Sequence, residues 1–231
     1  MKRFLLFLFV LLGCTPQYSD DAFIGYEYLG ARYLGDPLGE SVAPDTDPLV
    51  RDDAFDCVTF VETSLAGGDV QKLNKIRYKN GEVDFVNRNH FIETDWLANN
   101  ADIVADVTEK YGDTDVRHVV IDKQNWLKKV HGINADFPKQ VVDLHYIPYD
   151  KVKYINVTKP IIVLFIAGNF EKSDIIGTDL AVRHMGFLLP GGVLRHASSQ
   201  YGRVMDVDFC QYALARAADK NNLGVMLVEI K

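Results

Sequence analysis

Cysteine is scarce in this chain, and positive charge is not in excess. The 231 residues contain three cysteines, none of them in a C-x-x-C pair, so the spacing of a structural zinc site is missing. The formal net charge of −7 argues against a nucleic-acid-binding surface, which normally needs a basic patch. The remaining composition is that of an ordinary globular protein, with 48% apolar and 25% charged residues, and the length suits one good-sized domain or two small ones.

The N-terminal apolar run is short. Residues 4–12 form nine apolar positions after a basic start, too few to cross a bilayer as a helix, and the run ends at Gly13-Cys14. This pattern predicts a secretory signal with a bacterial lipobox, in which Cys14 receives a lipid; a conventional signal peptide with a chance cysteine is the alternative. Thr15 instead of aspartate favours a periplasm-facing lipoprotein of the outer membrane. The predicted parts are a signal peptide over residues 1–13, a lipidated tether over residues 14–22 and a single domain over residues 23–231.

Helical patterns prevail in the first half of the mature sequence and strand patterns in the second, which predicts an α+β fold. Apolar residues recur at helical spacing from Cys57 to Leu65. Asp52 and Asp53 are predicted to cap this helix, and Gly67 with its following glycine to end it. The other predicted elements are a helix over residues 23–33, a loop over 35–48, a helix over 95–110, strands over 160–166, 184–189, 193–197 and 224–230, and a helix over 208–219.

Cys57 is the most informative residue because it stands at the start of a predicted helix. A cysteine attacks as the thiolate, and a free thiol is mostly protonated at neutral pH. The helix dipole favours the thiolate, whereas neighbouring aspartates oppose it, so a histidine partner is required. His184 and His196 lie in predicted strands further along the chain. This is the sequence order of a papain-like thiol hydrolase.

The register of the hairpin between those strands decides whether the two histidines meet. Pro190-Gly191-Gly192 separates the strands and indicates a tight connection. A loop centred on Pro190 would place His184 and His196 directly opposite each other, whereas a two-residue turn of the glycines would place them on opposite faces. In the first case one histidine activates the thiol and the other orients it, as in a triad.

Two structural alternatives compete with a catalytic thiol. In an oxidising compartment Cys57 could form a disulfide with Cys210, although the apolar helical neighbours of Cys210 favour a buried free thiol. A zinc site built from Cys57, His184 and His196, with or without His90, is conceivable, but no H-E-x-x-H or similar spacing supports it.

Arg88 and His90 form a second polar group, close to Trp96 in the sequence. Arg pairs bidentately with carboxylates, so this segment is predicted to contact a carboxylate or a sugar oxygen. A solvated loop is the alternative.

Four segments together resemble a bacterial N-acetylmuramoyl-L-alanine amidase-like family, distantly similar to NlpC-type papain-like cell-wall peptidases. They are FDCVTFVET, NRNHFIETDWLANN, RHMGFLL and LRHAS followed by a closing helix and strand, in the family's order. The resemblance implies a papain-like α+β fold with Cys57 as nucleophile, His184 as base and His196 as orienting residue. The backbone N–H of Cys57 would contribute to an oxyanion hole. The substrate contacts that it implies are Asp56, Arg88, His90, Asp95, Trp96 and, by a weaker match, Tyr33.

The predicted function is therefore hydrolysis of an amide bond in the peptidoglycan stem, at the muramic acid–L-alanine linkage. The first alternative is a γ-D-glutamyl–diaminopimelate endopeptidase, and the second is a non-catalytic wall-binding lipoprotein. Acyl transfer by the same thiol to an amine is a third reading. The mechanism requires no metal or organic cofactor, the expected partners are peptidoglycan and a membrane reached through Cys14, and the sequence does not indicate an oligomeric state.

Overall fold

The structure is a computed structural model that describes residues 24–231. The predicted signal peptide, the lipidation site Cys14 and the tether over residues 14–22 lie outside the described residues. No helix between residues 24 and 231 combines the length and the apolar character needed to cross a membrane.

Residues 24–231 are organised around one ten-stranded sheet. The strands are β1 (Arg32–Tyr33), β2 (Ala54–Phe55), β3 (Val104–Asp106), β4 (Asp115–Ile121), β5 (Gln140–Pro148), β6 (Ile161–Ala167), β7 (Val182–Leu189), β8 (Val193–Ser198), β9 (Arg203–Asp208) and β10 (Asn222–Ile230). Their order across the sheet is β2-β1-β9-β8-β7-β6-β10-β5-β4, with β3 paired to β10. All pairings are antiparallel except that between β1 and β2.

Helices cover both faces of this sheet. They are α1 (Cys57–Ala66), α2 (Val70–Arg77), α3 (Leu97–Asn99), α4 (Lys123–His131), α5 (Ser173–Ile176) and α6 (Phe209–Arg216), with short 3-10 turns at Tyr26–Tyr28, Lys79–Gly81, Thr108–Lys110 and Tyr149–Tyr154 and a π-helical turn at Ile92–Trp96. Strand β6 is buried throughout, because alternate side chains enter two apolar cores, one on the face covered by α1 and one on the face covered by α6. The predicted α+β class is confirmed.

The apolar runs of the second half fold as predicted. The strands predicted over residues 160–166, 184–189, 193–197 and 224–230 correspond to β6, β7, β8 and β10, and the helix predicted over 208–219 corresponds to α6. The loop predicted over residues 35–48 contains no helix and only the isolated bridge between Val42 and Asp45.

Two predicted helices are wrong. The segment predicted over 23–33 contains only the turn Tyr26–Tyr28 before β1, which pairs with β2 and β9. The helix predicted over 95–110 ends at Asn99, and the chain then forms β3, whose Val104 pairs with Ile230. Pairing with a strand more than 120 residues away overrides the local helical pattern here.

The helix that begins at Cys57 is capped by Asp56 and not, as predicted, by Asp52 or Asp53. The Asp56 carboxylate accepts the backbone N–H of Thr59, and the Thr59 hydroxyl accepts the backbone N–H of Asp56, which completes a capping box. Gly67 ends the helix in the left-handed conformation, as predicted. The cap fixes the first turn of α1, and with it the position of Cys57.

Candidate active site: a thiol beside a histidine pair

Cys57 is the first residue of α1 and carries a half-buried free thiol. Cys210 is also a free thiol, so the disulfide alternative is wrong for this structure. The backbone N–H groups of Cys57, Val58 and Met185 lie close enough to stabilise a thiolate. Because Met185 follows His184 on β7, this contact brings the thiol to the strand that carries the first predicted histidine.

The surroundings of the Cys57 thiol favour its protonated form. Burial, followed by the charge of Asp56, raises the pKa of Cys57 to about 12, against the opposing effect of the nearby N–H groups. Asp53 contributes little to this crowding, because Arg32 and Arg51 form ion pairs with it. The geometry therefore agrees with the expectation that the helix start alone does not produce a nucleophile and that a base must remove the proton.

The β7–β8 hairpin adopts a register between the two that the sequence suggested. Leu189 pairs with Val193 and Phe187 with Arg195, so the connection is a three-residue loop centred on Gly191. Continued along the strands, this register places His184 and His196 on the same face, two residues from direct opposition. The Nε2 atom of His184 lies 2.7 Å from Nδ1 of His196, a hydrogen bond that joins the two rings.

Gly186 permits this close approach. A Cβ atom at this position would lie 2.7 Å from the carbonyl oxygen of Arg195 and 2.9 Å from the Cβ atom of His196. Any side chain would push β8 away from β7 and lengthen the bond between the histidines. The glycine within RHMGFLL is thus a signal of close strand packing that the sequence analysis did not use.

The start of β7 is held by a buried acid that the sequence analysis also missed. Oε1 of Glu93 accepts the backbone N–H groups of Ala181 and Val182 at 2.8 and 2.7 Å. At the same point the pairing with β6 shifts by one residue, between Phe165 and the next position, which is a β-bulge. The bulge lies one residue before His184, so Glu93 fixes the backbone that aims this imidazole.

A cavity of about 250 Å³ opens next to the start of α1. Asp56, Val58 and Thr59 line it, whereas Cys57, His184 and His196 are not among its lining residues. Its far wall consists of four aromatic or imidazole rings whose neighbouring centroids lie 4.6–4.8 Å apart, Phe85, His90, Trp126 and His131. The remaining lining residues are polar or charged, Asp36, Glu62, Arg77, Arg88 and Asn89.

Arg88 lines the cavity but is already bound to acidic side chains. Its Nε and Nη2 atoms donate to the two carboxylate oxygens of Glu40 at 2.8 and 2.6 Å, and Nη2 also contacts Asp45 at 2.6 Å. Asp36 is a further partner at 3.4 Å. These bonds hold the loop over residues 35–48 against the domain and leave the guanidinium little capacity for a substrate carboxylate.

The other predicted substrate contacts divide into two groups. Asp56 and His90 line the cavity, and His90 is fixed by a 2.6 Å bond from its Nε2 atom to the carbonyl of Phe85. Tyr33 is half-buried, and burial, then the charges of Cys57 and Asp56, raise its pKa.

Asp95 and Trp96 do not line the cavity, contrary to the prediction. Trp96 is fully buried and donates from its indole N–H to Glu62 at 3.1 Å. Asp95 forms a 2.8 Å ion pair with the buried Lys123. Trp96 thus bonds to the lining residue Glu62, and Lys123, the partner of Asp95, donates to the carbonyl of the lining residue Arg88.

Among residues 24–231 no group of three or more His, Cys, Asp or Glu side chains is arranged to hold a metal ion. The zinc site considered for Cys57, His184, His196 and His90 is not formed by this arrangement. In particular, the ring of His90 is engaged with Phe85.

The fold and the site together define an α+β protein in which a helix-start thiol contacts the backbone of β7 from the side of α1, while the two hydrogen-bonded histidines of β7 and β8 pack against α6 on the other side. A family profile described as N-acetylmuramoyl-L-alanine amidase-like matches residues 23–218, and the chain belongs to this family. Family membership supports a peptidoglycan amidase-like role. No curated protein matches the chain.

Two solved structures show the same fold. A protein from Legionella pneumophila is 24% identical, with a TM-score of 0.81 over 91% of this chain and 87% of that one. An N-acetylmuramoyl-L-alanine amidase from Bacteroides uniformis is 22% identical, with a TM-score of 0.70 over 92% of this chain and 99% of that one. At these identities the likeness establishes the architecture alone.

Proposed function

We propose that this protein is a cysteine-dependent peptidoglycan amidase that cleaves the amide between muramic acid and L-alanine. The observation that carries the proposal is the position of the Cys57 thiol, at a helix start and beside a strand whose His184 is hydrogen-bonded to His196. A nucleophile, a base and a residue that orients the base are the parts that thiol-dependent acyl transfer requires. We also propose that the domain is papain-like.

In this mechanism His184 acts through the ring nitrogen that His196 does not occupy. Its Nε2 atom is engaged with His196, so Nδ1 takes the proton of the Cys57 thiol while sulfur attacks the amide carbonyl. The backbone N–H of Cys57 supports the developing oxyanion. His184 then gives the proton to the leaving amine of L-alanine, and water releases the acyl group from sulfur in a second step.

The cavity beside Cys57 is the proposed binding site of the muropeptide. Asp56, His90 and Tyr33 are its proposed contacts, and the rings of Trp126 and His131 offer apolar surface to the sugar or the stem. Arg88 has a different proposed role: it positions the loop over residues 35–48, because three carboxylates already surround it.

The proposal is tested by incubating the full-length protein in detergent with defined muropeptides and reading the products by mass spectrometry. We expect free stem peptides that begin with L-alanine, together with the sugar that carries a free lactyl carboxylate. None should appear with the Cys57→Ala protein. Fragments cut between D-glutamate and diaminopimelate would replace the amidase by the endopeptidase alternative. Binding to sacculi without any fragment would favour the non-catalytic reading, and a product with an added amine would indicate acyl transfer.

We further propose that Cys14 carries a lipid that anchors the domain to the outer membrane, on the strength of the apolar run and the Gly13-Cys14 sequence. In a Gram-negative host, metabolic labelling with an alkyne fatty acid should label the wild-type protein and leave Cys14→Ser unlabelled. Cys210→Ser, which alters a thiol in α6, is the matched control and should label normally. An unlabelled wild-type protein released in soluble form would contradict the anchor.

A further inference from the structure

The histidine pair is enclosed by α6 on one face of the sheet. The Tyr212 ring lies with its centroid 4.9 Å from that of His196 and 5.9 Å from that of His184. The Phe165 ring lies 5.4 Å from His184 and 5.2 Å from Tyr212. The Phe165 and Tyr212 rings pack against the imidazoles and restrict their rotation. The sequence segments around Cys57, His184 and His196 did not predict these contacts.

The guanidinium of Arg216 places a permanent positive charge next to the Phe165 and Tyr212 rings. The Arg216 guanidinium is 5.2 Å from the Phe165 centroid and 5.7 Å from the Tyr212 centroid, and it donates to the Tyr212 hydroxyl at 3.4 Å and to the Asn222 side-chain oxygen at 3.5 Å. Both acceptors are neutral oxygens. Since arginine does not lose its proton in proteins, the charge that it places behind the rings is fixed.

Among residues 24–231, the carboxylate whose charge favours a protonated His196 is already paired with an arginine. The carboxylate of Asp206 is bound by Arg195 at 2.8 and 2.9 Å. The Nε2 atom of His196 is buried and meets no hydrogen-bond partner among the described residues. The titratable and charged groups on the elements around the pair include Cys57 on α1, Arg183 on β7, Arg195 on β8, Asp206 on β9, Tyr212 and Arg216 on α6, and Tyr149 beside Arg216. Strand β9 also carries Arg203 and Asp208, and α6 also carries Cys210.

We propose that Tyr212 and Arg216 are positioning residues of the histidine pair: the Tyr212 ring fixes the planes of His184 and His196, and the Arg216 charge adds to their burial in opposing a charged imidazole until the thiol proton arrives. The inference deepens the proposed function and rests on it for its catalytic meaning. It implies a neutral thiol and a neutral imidazole at rest, not a thiolate–imidazolium pair. The proton moves from sulfur to His184 only as the sulfur–carbon bond forms, and from His184 to the leaving amine as the amide breaks.

The electrostatics of the site agree with this geometry. Burial, then the charges of His196 and Arg216, lowers the pKa of His184 well below its usual range. Burial, then Arg216, lowers the pKa of His196 to about 4, against the opposing charge of Asp206. Both shifts favour the neutral rings over the pH range in which an ordinary histidine gains its proton.

The test is a titration of isotope-labelled histidine side chains by NMR, in full-length wild-type protein, Arg216→Gln and Arg216→Lys. Signals of the pair are assigned with His184→Gln and His196→Gln, and the apparent pKa values belong to the pair as a unit. Loss of a positive charge makes protonation easier, so the midpoints of Arg216→Gln should rise by about half to one pH unit. Arg216→Lys should stay close to wild type. Lys220→Gln removes an exposed cation just beyond α6 and should produce no shift.

Identical midpoints in wild type and Arg216→Gln, with unchanged unfolding temperature, would overturn the inference. A second pair of variants tests Tyr212: Tyr212→Leu should lower kcat about tenfold or more with little change in KM, whereas Tyr212→Phe, which retains the ring, should keep most of kcat. Equal losses in both would also overturn it. The NMR titration needs no turnover, so a wild-type protein that releases no fragments but shows the shift would reject the proposed function and leave the histidine inference standing.

Discussion

Cys57→Ala and His184→Gln should each lower kcat/KM on the scissile amide by about four orders of magnitude or more, and the double variant should be no worse than either single one. The reason is that the two groups act as one unit. A thiol whose pKa is raised to about 12 presents almost no thiolate at neutral pH, so without its base it does not attack. Likewise, a base without the thiol has no proton to move.

The measurement is a progress curve on one purified muropeptide with each variant at matched concentration. His118→Gln is the control, because His118 is an exposed histidine whose ring bonds to Asp143 on the neighbouring strand, away from Cys57. It should retain wild-type kcat/KM. If His184→Gln kept more than about a hundredth of the activity while Cys57→Ala kept none, the thiol would have a different base, and the assignment of His184 would be wrong.

Arg88→Met should lower the free energy of unfolding by about 3–5 kcal/mol. Arg88 is buried against the buried Glu40 and against Asp45, and removing it leaves these carboxylates without their cation. A buried carboxylate that loses its partner costs far more than an exposed one, because water cannot replace the lost bonds. The loop over residues 35–48 should then detach and become open to proteases.

Urea unfolding of the wild type, Arg88→Met and Arg32→Met gives the comparison. Arg32 also forms an ion pair, with Asp53, but its side chain is 69% exposed, so its loss should cost less than about 1 kcal/mol. A stable Arg88→Met protein whose KM rises with kcat unchanged would show instead that Arg88 binds substrate, as the sequence alone suggested.

Local patterns predicted the parts of the fold that depend on local information. The apolar run of β6, the helix from Cys57 and the hairpin of β7 and β8 have the residues that those elements need in any context. Helix α4 was overlooked although Asp122 offers a cap and Trp126 with Leu127 supplies an apolar side. The false helix over residues 95–110 has the opposite cause: its second half folds as β3 only because β10 is present to pair with it.

The candidate site shows the same division between local and distant information. Cys57, His184 and His196 were predicted as catalytic residues because their residue types and order indicate a chemistry. Whether the two histidines meet depends on the three-residue loop and on the close strand approach that Gly186 permits. Neither feature can be predicted from the sequence alone, because several hairpin registers fit the same residues. The roles of Arg88 and Trp96 depended on which acids the folded chain brings to them, and those acids lie 48 and 34 residues away.

The position of strand β10 determines when the sheet can be completed during folding. It is the final strand of the sheet in sequence, yet it lies inside the sheet between β6 and β5 and also pairs with β3. Because the chain emerges from the N-terminus onward, in synthesis as in the proposed export, β5 and β6 emerge with unpaired edges before residues 222–230 are present. The sheet is therefore complete only once residues 222–230 have emerged. Until then, helix α1 with Cys57 has no complete sheet to pack against.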